Sequence, residues 1–212
     1  MELPWAEEMS MMSKRLFALT VWVLAGLQLV SLGDGRGGRD QWQQRDRVIA
    51  DLGLGKGDVV ADIGCGRGYF SFHLARAVGQ EGTVYATEID EKALESVRQR
   101  ADKEKVQNIK PVHSEPTNTK LPDNCLDAAI IVNVLHHVPK DQRPALTKDI
   151  VRSIKPGGFF YIIDWRVDAG IRYDINRRIP LEELLSYGTD NGLKRDAEFH
   201  YLEHQVFLRF RK

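Results

Sequence analysis

The chain has 212 residues, of which 42% are hydrophobic, so it can form one domain with a sizeable core but not two ordinary domains with linkers. Thirty basic and thirty acidic residues give a formal net charge of zero, so no overall charge attracts a polyanion, and a nucleic-acid partner is not expected. The two cysteines, Cys65 and Cys125, belong to no CxxC or His/Cys cluster, which predicts neither a disulfide framework nor a metal site.

A hydrophobic stretch, LFALTVWVLAGLQLV, occupies residues 16–30 and follows Lys14 and Arg15. Its length suits the apolar region of an export signal and is slightly short for a membrane span. A cleaved export signal, an uncleaved anchor and an amphipathic helix that packs on the domain are the three interpretations. No clear small-x-small cleavage site follows it, which argues against cleavage. Four arginines lie between residues 36 and 47, and the positive-inside rule then favours a cytoplasmic position for the domain.

These features predict two regions. Residues 1–38 form the hydrophobic segment and a flexible hinge, GDGRGG at 33–38, and residues 39–212 form the folded domain. We predict membrane association through residues 16–32 with the domain in the cytoplasm, and export through an N-terminal signal is the alternative.

From residue 40 onward, helix-like and strand-like segments alternate. Amphipathic periodicity and terminal glycines predict helices, whereas short apolar runs predict strands that are buried on both faces. The predicted helices are 41–53, 69–78, 91–105, 144–154 and 181–192. The predicted strands are 58–63, 83–89, 108–112, 126–134, 159–165, 194–202 and 204–210. This order predicts an α/β fold of three layers, a doubly wound, mostly parallel seven-stranded sheet with a C-terminal antiparallel hairpin.

A glycine-rich segment, DIGCGRG, follows the first predicted strand and contains Gly64, Gly66 and Gly68. Glycines at a strand-to-helix turn permit positive φ and let a ligand approach the main chain. The dinucleotide motif G-x-G-x-x-G would need glycine at position 69, which is Tyr69, and the lysine of the P-loop is also missing. The remaining pattern, D-x-G-x-G-x-G, resembles motif I of class I methyltransferases that use S-adenosylmethionine.

Four later positions match the same family in order. Glu88 closes the second strand, HSEP (113–116) follows the third, NVLHHV (133–138) follows the fourth, and IKPGGFFYIID (154–164) resembles the turn into the fifth. The chain is most similar to small methyltransferases related to quinone-biosynthesis enzymes, including bacterial members with an N-terminal hydrophobic segment. The resemblance implies that S-adenosylmethionine is the cofactor, with Glu88 accepting the ribose hydroxyls and Glu115 the adenine amino group. The cofactor-binding residues that it implies are Asp62, Gly64, Cys65, Gly66, Gly68, Tyr69, Glu88, Ile89, Glu115, Pro116 and Asn133.

Methyl transfer from a sulfonium is an in-line displacement that needs alignment and exclusion of water more than acid or base groups. Where the acceptor must lose a proton, His136 and His137 are the candidate bases, and packing or capping is their alternative role. The segment 166–180 is a candidate lid over a small acceptor that is anionic or lipophilic. An anionic acceptor could be held by its arginines beside Tyr173, namely Arg166, Arg172, Arg177 and Arg178. The alternative is a solvated loop whose arginines pair with nearby acids.

Three hypotheses for function follow. The first is an enzyme that transfers a methyl group from S-adenosylmethionine to a small molecule. The second is a non-catalytic subunit that binds the same cofactor. The third is a nicotinamide-dependent oxidoreductase, which shares only the sheet topology and an acid in the place of Glu88.

Overall fold

The computed structural model describes residues 37–170 and 175–212, and residues 41–212 form one compact unit. The hydrophobic stretch 16–30 lies outside the described residues, as do Arg172 and Tyr173. Within the described ranges, no helix combines the length and the apolar character that crossing a membrane requires.

Six helices and seven strands make up the described fold. The helices are α1 (Gly37–Gln43), α2 (Arg45–Asp51), α3 (Ser71–Val78), α4 (Glu91–Glu104), α5 (Arg143–Ser153) and α6 (Leu181–Thr189). The strands are β1 (Val59–Ile63), β2 (Thr83–Glu88), β3 (Ile109–His113), β4 (Leu126–Val132), β5 (Ile154–Trp165), β6 (Lys194–Phe199) and β7 (Gln205–Arg211). Short 3-10 turns cover Leu135–His137 and Ile175–Arg177.

The seven strands form one sheet in the order β3-β2-β1-β4-β5-β7-β6. Strands β1 to β5 are parallel, and β7 runs antiparallel to both β5 and β6. The predicted doubly wound sheet with its C-terminal hairpin is therefore confirmed. The strand order reverses between β1 and β4, and this is the point where ligands bind in open α/β sheets, outside the carboxyl ends of the strands.

The core lies on both faces of the sheet. In β4, Ala128, Ile130 and Val132 join one hydrophobic cluster, whereas Ala129 and Ile131 join the other. Successive side chains of a strand point to opposite faces, so a strand covered by helices on both sides needs apolar residues at every position. This is why the apolar runs predict the central strands well.

Several predicted boundaries differ from the structure, and two of the differences have a visible cause. The single helix expected at 41–53 is broken at Gln44, which has φ 44° and whose side-chain amide donates to the carbonyl of Tyr201 at 2.8 Å. A contact with a distant part of the chain thus accompanies the break. Strand β5 begins at Ile154 instead of residue 159, because Gly157 and Gly158 pair with the backbone of Lys212 and continue the strand.

Candidate active site

The glycine loop lies at the carboxyl end of β1, and two of its glycines are required by packing. Gly64 has φ +66°, and a Cβ there would lie 2.6 Å from a methyl carbon of Val134. Gly68 has φ +78°, and a Cβ there would lie 2.9 Å from the ring of Phe72. Both positions therefore exclude a side chain because the protein itself occupies the space.

Gly66 differs from its two neighbours. It has φ +54°, but a Cβ at this position would meet nothing within 4 Å. Its backbone N–H donates to Oε2 of Glu88 at 2.9 Å, which joins the loop to the end of β2. Of the three glycines, Gly66 is therefore the one whose main chain faces open space that a ligand could enter.

Backbone amides orient the carboxylate of Glu88. Oε1 accepts from the N–H groups of Ile89 at 2.7 Å and Asp90 at 3.1 Å, while Oε2 accepts from Gly66. A carboxylate offers about four acceptor positions, so Oε2 keeps one for a ligand hydroxyl. A second hydroxyl would have to replace one of the amides on Oε1. Asp90 caps α4 by accepting from the N–H of Lys92 at 2.9 Å.

Ile89 stands beside this carboxylate with 56% of its surface exposed, although it is a large apolar residue. The loop after β3 is attached to the same place, because the N–H of Ser114 donates to the carbonyl of Glu88 at 3.0 Å. Glu115 and Pro116 follow directly. The backbone of Glu115 pairs with Asn118, and its exposed side chain bonds to Lys120 at 2.5 Å.

Asp62 and Cys65 lie beneath the loop. Asp62 is buried and accepts a hydrogen bond from the hydroxyl of Ser71 at 2.6 Å, which ties the start of α3 to β1. Cys65 is buried as well, and its N–H donates to the carbonyl of Thr87 at 2.9 Å. Burial, together with the nearby carboxylates of Asp62 and Glu88, raises the pKa of the Cys65 thiol far above its ordinary value. These residues hold the loop in place.

Tyr69 follows the loop and is half-buried. Its ring contacts the edge of the Phe70 ring at a centroid distance of 5.1 Å. The guanidinium of Arg45, at the start of α2, lies 5.8 Å from the Tyr69 ring centre. Tyr69 therefore connects the glycine loop to the N-terminal helices.

The two histidines after β4 have different surroundings. His136 is buried, and its Nδ1 lies 2.6 Å from Oδ1 of Asp164 near the end of β5. A carboxylate there accepts the Nδ1 proton and favours the tautomer with a lone pair on Nε2. Asp164 also accepts from the N–H of Trp165 at 2.8 Å. His137 is exposed, and its Nδ1 lies 3.1 Å from the guanidinium of Arg177.

Both histidines remain candidates for proton transfer. Asp164 was not among the predicted site residues. Its signal in the sequence is an acid inside the apolar run of β5, where a buried charge requires a partner.

A ring of three side-chain amides lies at the ends of α1, β4 and β7. Gln43 donates to Gln205 at 2.7 Å, Gln205 donates to Asn133 at 2.5 Å, and Asn133 donates to Gln43 at 3.4 Å. Next to it, the rings of Trp42 and Trp165 lie 5.1 Å apart. We call the three residues the amide ring. The predictions included Asn133 alone, because no local pattern marks a glutamine that bonds to a residue 162 positions away.

A cleft of about 310 Å³ opens at the same edge of the sheet. Its lining is mixed, with apolar residues from the loop after β5, the start of α6 and the β6–β7 hairpin, and with several polar groups. The lining residues are Arg166, Val167, Asp168, Ile179, Leu181, Glu198, Phe199, His200, Leu202, Gln205 and Val206.

Two arginines of the predicted lid are bonded to nearby groups of the same segment. Arg166 pairs with Asp168 at 2.7 Å, and Arg178 donates to the carbonyls of Val167 and Ala169. The pairing of Arg166 with an acid agrees with the alternative of a solvated loop, whereas Arg178 bonds to backbone carbonyls. The cleft wall combines apolar and polar side chains, and Val167 in it exposes 58% of its surface.

Residues 60–158 match a family described as a methyltransferase domain. Together with the glycine loop and Glu88, the match confirms the resemblance to methyltransferases that use S-adenosylmethionine. It favours this family over nicotinamide-dependent oxidoreductases.

A demethylmenaquinone methyltransferase of Staphylococcus aureus (strain JH9) is 33% identical to this chain over 120 residues. The match covers 57% of this chain and 48% of the relative, so the chain spans about half the length of the curated relative it matches.

Two solved structures share the fold. A SAM-dependent methyltransferase from Aquifex aeolicus superposes with a TM-score of 0.76 at 22% identity, covering 82% of this chain and 93% of the other. The geranyl diphosphate C-methyltransferase of Streptomyces coelicolor A3(2) gives a TM-score of 0.68 at 16% identity, covering 87% and 89%. At these identities the similarity concerns the fold.

The residues around the loop fit the cofactor of this family. Gly66 provides an open main-chain face, Glu88 provides a carboxylate acceptor for a sugar hydroxyl, and Ile89 provides an apolar surface for a base. No pyrophosphate-binding motif is present, which suits a nucleoside without phosphates.

Proposed function

We propose that this chain transfers a methyl group from S-adenosylmethionine to a small acceptor with an apolar body. The observation that carries the proposal is the pairing of Gly66 with Glu88. The one glycine of the loop that faces open space is bonded at 2.9 Å to the acid that closes β2. A side-chain-free surface and a fixed carboxylate therefore lie together at the switch point of the sheet, where this fold binds its ligands.

When bound, S-adenosylmethionine supplies a methyl group already activated by a positive sulfur. The protein has to hold, orient and dehydrate the reactants. Glu88 is held by three backbone amides before a ligand arrives, so its carboxylate loses little freedom on binding. Asp62 and Ser71 keep the loop on its strand.

The acceptor is proposed to enter the cleft. The cleft lies beyond the ends of β5, β6 and β7. These strands and β2 lie on opposite sides of the switch point between β1 and β4. Val167, Phe199 and Leu202 supply apolar contacts for a hydrocarbon or aromatic body. Volumes of this size suit small molecules.

A base is needed only where the acceptor atom carries a proton. His136 is fully buried and tied to Asp164, so it suits a positioning role, whereas His137 is exposed beside Arg177. A guanidinium that donates to Nδ1 of His137 leaves the proton on Nε2 in the neutral ring. His137 in that form presents a donor to solvent, and a role as base would require Arg177 to move away.

Calorimetric titration of the full chain with S-adenosylhomocysteine tests the cofactor half of the proposal. We expect saturable binding at one site per chain. Transfer of label from methyl-labelled S-adenosylmethionine to small molecules of a cell extract tests the catalytic half. Binding without any labelled product would favour the non-catalytic subunit, and no binding would overturn the proposal altogether.

A further inference from the structure

The amide ring has more hydrogen-bonding capacity than it uses internally. Each carboxamide has two N–H groups and an oxygen with two lone pairs. The ring uses one N–H and one oxygen of each residue, whichever way round the amides are assigned. One N–H and one lone pair of each amide therefore remain. Within residues 37–170 and 175–212, Gln43 and Gln205 make no other side-chain hydrogen bond.

Burial makes this spare capacity significant. Gln43 is 0% exposed and Gln205 is 2% exposed. A buried N–H without a partner is unfavourable, so buried amides are normally satisfied by protein, by ordered water or by a ligand. Apolar side chains of similar size would fill the same space without this cost. Two buried glutamines that bond to each other and to Asn133 are therefore poor core residues and good candidates for recognising something polar.

The position of the ring tells which ligand it faces. Gln205 borders the cleft, and Asn133 precedes Val134, whose methyl groups pack against Gly64 of the glycine loop. A short path thus leads from the glycine loop through Val134 and the ring to the cleft. The ring stands where the proposed acceptor meets the cofactor-binding half of the site.

We infer that the amide ring, chiefly through the free N–H of Gln205, receives an oxygen atom of the acceptor. The acceptor class is then an apolar, aromatic-sized body that carries a hydroxyl or carbonyl oxygen, and an unsubstituted hydrocarbon is excluded. An N–H group donates to neutral and anionic oxygens alike, whereas the surrounding cleft wall selects for the apolar part. Gln205 acts as a specificity residue, and Gln43 and Asn133 orient it. This inference rests on the proposed function.

Two probes of nearly equal size test the inference. 1-Naphthol carries a hydroxyl where 1-methylnaphthalene carries a methyl group. Their dissociation constants are measured by equilibrium dialysis against the full chain, with and without saturating S-adenosylhomocysteine. We expect the wild-type chain to bind 1-naphthol about tenfold more tightly, which corresponds to one net hydrogen bond. Equal affinities, or no binding of 1-naphthol, would overturn the inference from the wild-type protein alone.

Variants assign the effect to the ring. Gln205→Leu should bind both probes equally, with its affinity for 1-methylnaphthalene within about twofold of wild type. Gln43→Leu, which leaves Gln205 without its orienting donor, should lose part of the preference. The exposed Gln99→Leu on α4 is the matched control and should keep all of it. A preference that persists in Gln205→Leu would count against the assignment.

The two experiments distinguish a loss of cofactor binding from a loss of acceptor recognition. A wild-type chain that does not bind S-adenosylhomocysteine refutes the proposed function, while the comparison of probes in the absence of that ligand still decides the inference. A variant that retains the wild-type affinity for S-adenosylhomocysteine is folded, so its loss of preference concerns Gln205 itself.

Discussion

The two halves of the site are built in different ways. On the cofactor side, the glycine loop and Glu88 are only 22 residues apart, and one hydrogen bond joins them. On the acceptor side, the amide ring joins residues that are 72, 90 and 162 positions apart. The first half is encoded by a contiguous strand-turn-helix, whereas the second depends on the assembly of the whole sheet. Substitutions in the two halves should therefore have different effects on stability and on ligand affinity.

The largest effect on stability is expected at the buried pair of His136 and Asp164 on the acceptor side. Asp164→Ala removes the buried partner of His136 and an acceptor for the N–H of Trp165. We expect the free energy of unfolding to fall by about 3–5 kcal/mol, because buried polar groups lose their partners. Urea denaturation followed by circular dichroism measures this. The control is Asp168→Asn, whose exposed pairing with Arg166 should contribute little to the free energy of unfolding. Similar losses in the two variants would contradict the role of the buried pair.

The glycine loop offers a matched pair of alanine substitutions. Gly64→Ala places a methyl group 2.6 Å from Val134 in a left-handed backbone, and we expect a loss of about 2–4 kcal/mol of stability. Gly66→Ala has a similar φ but open space, so about 1 kcal/mol should be lost. Thermal denaturation compares the two. Gly66→Ala should nevertheless bind S-adenosylhomocysteine weakly, which calorimetry would detect. Normal affinity in that variant would show that the open face is not used.

Substitution of Glu88 tests whether the cofactor half of the site binds the nucleoside. Glu88→Ala should weaken the binding of S-adenosylhomocysteine by about thirtyfold, since a hydrogen bond to a charged group contributes about 2 kcal/mol. Glu91→Ala, three residues further on and exposed in an ion pair with Arg98, is the control and should bind normally. Isothermal titration provides both affinities. An unchanged affinity in Glu88→Ala would remove the basis of the proposed function.

The smallest effect concerns His73 on α3, beside the cofactor half. Burial, reinforced by Arg45 and Arg76, lowers its pKa to about 4 from an ordinary value of 6.5. The unfolded chain therefore takes up a proton more readily between pH 6.5 and 4, and stability falls as the pH drops through that window. We expect a contribution of about 1 kcal/mol after allowance for solvent screening. His73→Gln should lose this part of the pH dependence of urea unfolding, and the exposed His200→Gln should retain it.

Most of the fold could be predicted from local patterns. The central strands are apolar at every position because both sheet faces are covered, and the helices end at glycines such as Gly79. The break at Gln44 and the early start of β5 at Ile154 were not predictable. Both are held by backbone and side-chain contacts to residues near the C-terminus, Tyr201 and Lys212.

The glycine loop and Glu88, which form the proposed cofactor half of the site, could also be located from the sequence. A glycine triplet behind a buried strand and an acid after the next strand occur at spacings set by the strand-helix-strand unit itself. Yet the reason for each glycine came from the structure. Gly64 and Gly68 are surrounded by Val134 and Phe72, and only Gly66 opens outward. The sequence motif identified the loop without distinguishing these roles.

The acceptor half was decided by tertiary structure. Nothing near Gln43 or Gln205 in the sequence shows that their amides meet. The apolar run around Asp164 indicates that this acid needs a partner, but only the structure shows that the partner is His136. Backbone preferences and apolar periodicity act over a few residues, so they can be read from short segments. Hydrogen bonds between buried polar groups depend on which distant strands become neighbours, and that is settled only when the sheet has closed around its core.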